Sequence, residues 1–298
     1  MASNKPKHFA QKPAATKVST PKARSVVTRQ MQQGENPYKQ TGAKEKKSNL
    51  LSNILMAVGV ILLLVAAGMW IHSQKEYSAQ DQAIQELVQY AQVSDETGAT
   101  GEPVPPKVDW AGLKAVNGDV CGWIQIPGTV INYPVYQGVT NDQYLRTLAD
   151  GSYGIGGLIF LDSENIKPGM IDSQSIIYGH HLKNGAMFKR IADMDNQDMF
   201  DSVKTVWYET ENKAYRLKPL LLYYGTPEDE TIRRFNFDTT EQFHEYLDGK
   251  LSIAKAKSPT AAEDIQKAQH VLTMSTCNYI EGAGRSVLIC VDTDEVGI

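Results

Sequence analysis

Residues 121–128 read Cys121-Gly122-Trp123-Ile124-Gln125-Ile126-Pro127-Gly128, and one residue later comes Val130-Ile131-Asn132-Tyr133-Pro134-Val135-Tyr136-Gln137-Gly138. Each stretch is a short run of aromatic, β-branched and aliphatic residues closed by Pro or Gly, the composition of a strand running into a turn. The same texture recurs toward the C-terminus in GGLIFLD, SQSIIYGH, KTVWYET, YRLKPLLLYYG, HVLTMST and SVLICVD. Such runs, with little helix between them, predict a mainly β fold with added helices, a mostly antiparallel barrel or sandwich. The exception is residues 239–268, where TTEQFHEYLDGKLSIAKAK and PTAAEDIQKAQ read as helix, turn and helix inserted between two strands. Thr239 or Thr240, with acidic residues following, suits the start of that insertion.

Upstream of this β-rich part the composition changes twice. Residues 1–48 carry eleven Lys and Arg against Glu35 and Glu45, although the 298-residue chain as a whole has a formal charge of −4. They hold almost no aliphatic clusters and so bury too little apolar surface to offset the entropy of ordering, which predicts a disordered basic tail. From Ile54 to Ile71 no charged residue occurs, and Leu50 and Leu51 extend the run, so residues 50–72 suffice to cross a hydrocarbon core of about 30 Å. A cleaved signal peptide fits less well, because its apolar region is shorter and starts nearer Met1, and Met69-Trp70-Ile71-His72 offers no small-x-small cleavage site. Lys44, Lys46 and Lys47 beside the span place the tail in the cytoplasm and the remainder outside the cell. The tail lacks the interleaved aromatics of a nucleic-acid arm, so membrane lipid rather than nucleic acid is its expected partner. Gln74–Val93 shows amphipathic helical spacing, residues 94–106 are a linker by their Gly, Pro and Thr, and Asp109 caps a short helix to Val116. The expected organisation is therefore tail 1–48, transmembrane helix 50–72, extracellular helical segment and linker 73–118, and a β-rich domain 119–298.

Three widely spaced cysteines, Cys121, Cys277 and Cys290, supply neither a disulfide framework nor the paired spacing of a zinc site. Cys277 ends a strand-like run and is followed by a Gly-containing loop and Arg285. Such a cysteine is either a small buried hydrophobe or a nucleophile whose thiolate is favoured by a nearby cation. His180-His181 after SIIY could supply the acid that an acyl-transfer step needs, and Arg285 a donor for the oxyanion. Separate structural roles for the three residues remain the alternative at this point.

Residues 273–277, Thr-Met-Ser-Thr-Cys, with Arg285 eight residues beyond the cysteine, resemble the TLxTC…R signature of sortases, the Gram-positive transpeptidases that attach proteins to the cell wall. Met274 stands for the usual Leu, a volume-conserving change. Residues 177–188, IYGHHLKNGAMF, resemble the YGHN-x-K-x-G-x-MF stretch of class B sortases, with His181 where Asn is common. GWIQIPG, INYPVYQ and GLIFLD agree as well, in family order, over residues 75–296.

The resemblance implies an eight-stranded sortase β-barrel with an N-terminal helical subdomain, a helical insertion before the cysteine strand and a single N-terminal membrane anchor. It implies catalysis by Cys277 as nucleophile, His180 as acid and Arg285 as substrate and oxyanion holder, without metal or cofactor, and a mild effect of His181→Ala. Ser275 corresponds to a substrate-contacting position or is a ladder serine; Asn132 is a second such position or a turn residue; Tyr223 and Tyr224 line the groove or pack in the barrel. Cys121 and Cys290 are expected in the core. The implied partners are surface proteins bearing a C-terminal sorting signal, cleaved after Thr, and an amine of peptidoglycan precursor or of a pilin as acceptor. A pilin-polymerising sortase, a hydrolase of the same fold that releases its substrate to water, and a non-catalytic membrane-anchored scaffold are the rival functions.

Overall fold

The computed structural model describes residues 49–94, 98, 103–226, 230–277 and 284–298; the expected tail 1–48 lies outside them. Helix α1 (Leu50–Val88) is one unbroken helix of 39 residues. The sequence suggested a membrane span and a separate amphipathic helix, but no Pro or helix-ending Gly separates Ile71 from Gln74, so the helical pattern continues. Its apolar part has a mean hydropathy of 2.7 over 18 residues, none of them buried, and is long and apolar enough to cross a membrane. Residues Met1–Met56 and Ala57–Ile298 form two units. The first contains the opening turns of α1, and the second contains every strand and all the remaining helices.

Short strands β1 (Ala91–Gln92) and β2 (Lys107–Val108) pair with each other, and α2 (Trp110–Val116) follows, with the Asp109 carboxylate accepting from the Gly112 N–H as its N-cap. The barrel strands are β3 (Val120–Gln125), β4 (Asn132–Tyr136), β5 (Ile159–Leu161), β6 (Gln174–Tyr178), β7 (Val206–Glu209), β8 (Ala214–Gly225), β10 (Val271–Cys277) and β11 (Arg285–Asp292). Between them lie α3 (Lys189–Ala192), α4 (Gln197–Asp201), α5 (Thr240–Ser252), the two-residue strand β9 (Ala256–Lys257) and α6 (Ala261–Ile265), with α7 (Thr293–Val296) at the end. The order β11-β10-β6-β5-β4-β3-β7-β8 closes through β8–β11 pairing into an eight-stranded barrel, and β9 attaches to β8. The pairs are antiparallel except β4–β5 and β6–β10, which are parallel.

Side chains alternate between two apolar clusters because successive residues of a strand face opposite sides of the sheet. On β11, Leu288 and Cys290 enter the barrel interior, whereas Val287, Ile289 and Val291 face outward into a second cluster. That second cluster is completed by Phe243 and Leu247 of α5 and Ile265 of α6. The insertion therefore covers the outer face of β8, β10 and β11, and these strands are buried on both faces. On β10, Leu272 and Met274 point inward, so Val271, Thr273, Ser275 and Cys277 share the outer face.

Candidate active site

Cys277 is the last residue of β10 and pairs in register with Arg285, the first residue of β11. Directly opposed residues of an antiparallel pair lie on one face of the sheet, so the thiol and the guanidinium are side by side by construction. On the other flank of β10, the parallel partner β6 sets Tyr178 opposite Ser275. Because β6 and β10 run the same way, the residues that follow them emerge at the same barrel end, which brings His180 to Cys277 across 97 positions of sequence. Gly179 makes the turn between: a Cβ there would sit 2.5 Å from Ile159 Cδ1 and 2.7 Å from Phe188 Cδ2.

These residues line one cavity of about 320 Å³, together with Asn141, Leu145, Tyr178, Ile232, Arg233 and Ser275. Cys277, His180 and Arg285 are each half-buried, reachable yet partly desolvated. Cys121 and Cys290 are buried. Burial pushes the Cys121 thiol up to about 12 and raises that of Cys290 as well, so both stay protonated and unreactive.

The His180 Nε2 lies 2.8 Å from the Leu145 carbonyl oxygen. A carbonyl only accepts, so Nε2 carries the proton and Nδ1 is the nitrogen that titrates. Burial lowers the His180 pKa below its ordinary value; the bond to Leu145 opposes this, and the charges of Arg146 and Arg285 add to the lowering. The adjacent His181 turns its Nδ1 to the carbonyl of Cys277, 3.0 Å away.

Three of the lining residues, Asn141, Tyr178 and Arg233, converge on one buried carboxylate, a network that the sequence did not reveal. Asp162, fully buried, takes a bidentate pair from Arg233, with Nε and Nη2 each at 2.9 Å. It also accepts from Tyr178 Oη at 2.8 Å, Asn141 Nδ2 at 3.1 Å and the Glu164 N–H at 3.0 Å. Burial pushes this carboxyl up, but the hydrogen bonds from Arg233, Glu164 and Tyr178 outweigh it and hold the group below the usual carboxylate range. Burial and the same Asp162 charge raise the Tyr178 phenol, which keeps it a neutral donor.

The matching family model is "Sortase domain", over residues 124–292. The chain belongs to the sortase family. Sortase B of Staphylococcus aureus is 30% identical over 180 residues, covering 59% of this chain and 71% of that protein. The X-ray structure of Clostridium perfringens sortase B superposes with a TM-score of 0.55 at 30% identity, covering 61% of this chain and 98% of the other. A sortase B complexed with triglycine gives 0.54 at 28% identity, over 61% of this chain and 84% of that one. This sortase is thus of class B, a cysteine transpeptidase built on the closed eight-stranded barrel.

Of the residues anticipated for substrate, Ser275 lines the cavity, with its Oγ buried and lacking a partner among the described residues. The other three lie away from the described lining of this cavity. Asn132 belongs to a different groove, beside Gln80, Ile84 and Met187, and its Oδ1 accepts from Trp123 Nε1 at 2.8 Å, which fixes it as a barrel cross-link. Tyr223 is fully buried in the second apolar cluster, because its position on β8 faces the helical insertion. Tyr224 packs against the barrel interior, its hydroxyl donating to Asp195 at 2.5 Å. The cavity residues that sequence reasoning missed include Asn141 and Leu145, in turns, and Ile232 and Arg233, in the short 3₁₀ helix Glu230–Arg233, where neither strand nor α-helix periodicity operates.

Proposed function

We propose that this sortase cleaves a C-terminal sorting motif after Thr through a thioacyl intermediate on Cys277, and transfers the protein to an amine of the cell wall. The Cys277 thiolate attacks the Thr carbonyl carbon, and Arg285 stabilises the resulting oxyanion. The tetrahedral intermediate collapses, the C–N bond breaks, and protonated His180 gives its Nδ1 proton to the departing amine. A second amine then loses a proton to neutral His180, attacks the thioacyl carbonyl and releases the thiolate. Supporting this reading is the collection of Cys277, His180 and Arg285 around one cavity, where strand register sets the first beside the third.

The anchor reading completes the proposal. Residues 50–72 span the membrane, the basic tail 1–48 lies in the cytoplasm, and the barrel domain 119–298 works outside, a single-pass type II arrangement. Its partners are surface proteins with a sorting signal, and the triglycine bound by a relative makes a glycine amine the first acceptor to try.

The test uses the full chain in detergent, a panel of Thr-containing pentapeptides and triglycine. Mass spectrometry should find a thioacyl adduct on Cys277 and a peptide–triglycine amide. Cys277→Ala should abolish both while leaving the fold intact, and His180→Ala or Arg285→Ala should each slow turnover by about 10²-fold or more. Turnover that persists in Cys277→Ala would sink the assignment.

A further inference from the structure

We propose that His181 is a positioning residue for the nucleophile, its imidazole holding the terminal carbonyl of β10 and with it the direction in which Cys277 presents its thiol. The inference rests on the assignment of Cys277 as nucleophile given above.

The ladder between β6 and β10 runs in parallel register from Val271 opposite Gln174 to Ser275 opposite Tyr178. One further bond follows, from the Gly179 N–H to the Ser275 carbonyl at 3.2 Å. Carbonyls two residues apart on a strand point to the same neighbour, so the Cys277 carbonyl faces β6 as well, and a regular ladder would meet it with the main-chain N–H of residue 181. The chain has already left the ladder there. The His180 carbonyl accepts from the Phe188 N–H at 2.9 Å, and His181 forms an antiparallel bridge with Met187. This departure carries the His180 imidazole into the cavity.

The ring of His181 supplies the missing donor, its Nδ1 lying 3.0 Å from the Cys277 oxygen. One residue leaves the sheet to bring in the acid, and the next returns a side chain to secure the strand that carries the sulfur. On its other edge Cys277 is paired with Arg285, so its backbone is held from both sides. Neutral Nδ1–H imidazole and imidazolium both donate from this nitrogen, so the hold does not depend on pH, unlike an acid–base role. An Asn side chain also carries an N–H donor and can replace it.

The test compares wild type, His181→Ala, His181→Asn and Cys277→Ala as full chains in detergent. It measures alkylation of Cys277 by iodoacetamide, located by mass spectrometry, and kcat and KM for triglycine transfer with the best-cleaved pentapeptide. His181→Ala should slow both alkylation and kcat about tenfold with KM nearly unchanged and the shape of the pH profile retained. His181→Asn should recover both to within about threefold of wild type. The inference fails if His181→Ala matches wild type in both rates, if only KM changes, or if His181→Asn is as slow as His181→Ala. Should His181→Ala not fold, His181→Leu, which fills the site without a donor, takes its place: slow rates in His181→Leu with near-normal rates in His181→Asn support the role, and equal rates in the two overturn it. Alkylation needs no substrate, so it reads the inference even where no peptide is cleaved. A Cys277→Ala chain that still turns over would instead strike the nucleophile assignment.

Discussion

His180 donates its Nε2 proton to the Leu145 carbonyl and is depressed in pKa first by burial, then by two arginine charges. It is therefore mostly neutral at pH 7, and its acid form declines as pH rises through a midpoint below 6.5. NMR titration of the His180 ring should find that midpoint, and Arg146→Gln should move it upward as one repelling charge is lost. A midpoint above 6.5 would contradict the burial argument. The same sign governs stability: the neutral ring favours the fold above the unfolded pKa, and this contribution is lost as pH falls through the folded one. Replacing Arg233, itself 39% exposed, by Met leaves the buried Asp162 charge with Tyr178, Asn141 and the Glu164 N–H as its partners, which should cost about 1–3 kcal/mol at neutral pH in denaturant titration. The loss should shrink in acid, where Asp162 protonates.

At the scale of elements, α1 takes part in the catalytic unit through Gln80. This side chain is 1% exposed; its amide donates to the Gly157 carbonyl at 2.9 Å and accepts from the Gly156 N–H at 3.1 Å. Gly157 has φ +51°, and a Cβ on it would fall 2.1 Å from the Tyr144 carbonyl and 2.5 Å from that of Leu145. Leu145 is the acceptor for His180, so the clamp at Gln80 reaches the acid in few steps. Gln80→Leu should cost about 1–3 kcal/mol in thermal or chemical unfolding by leaving two buried main-chain groups unpaired. A chain beginning at Lys75 should keep this clamp, and one beginning at Gln89 should lose it together with Ile84 and Leu87 and unfold at lower temperature.

Much of this was legible beforehand, and what was not shares a cause. Cys277, Arg285 and His180 stand at strand ends, where a polar or reactive residue after an apolar run is conspicuous and where the resemblance concentrates. Whether Tyr223 and Tyr224 line the groove or pack in the barrel stayed open because a strand pattern gives alternation but not which face is covered. That depends on α5 and α6 folding back over β8, a tertiary fact. The Asp162–Arg233 pair spans 71 positions and Gln80–Gly157 spans 77, so neither leaves a local signature. The polar residues Gln125 and Glu209, the last residues of β3 and β7, are both buried, which a strand-end position does not announce.

For the whole molecule, Glu209 sets a pH dependence of unfolding. It is 7% exposed, its Oε1 has no partner among the described residues, and burial raises its pKa to about 7. Between about pH 4.5 and 7 the folded chain therefore binds more protons at this site than the unfolded chain, and stability falls as pH rises. Glu209→Gln removes the penalty: its melting temperature should exceed wild type by about 2–6 °C at pH 8 and match it near pH 4.5. Equal gains at both pH values would show that packing, not charge, is responsible.

Ring closure has one more consequence. The strand that ends in Cys277 is paired with β11 along its whole length on one side and with β6 as far as Ser275 on the other, so among the described residues no vacant seam runs along β10 up to Ser275. An incoming extended peptide cannot dock there by main-chain zippering, the way many peptide-binding modules capture their ligands. Discrimination among peptides must then come from how their side chains seat in the cavity walls, so partner choice can be retuned at the rim without disturbing the framework that aligns the reacting groups.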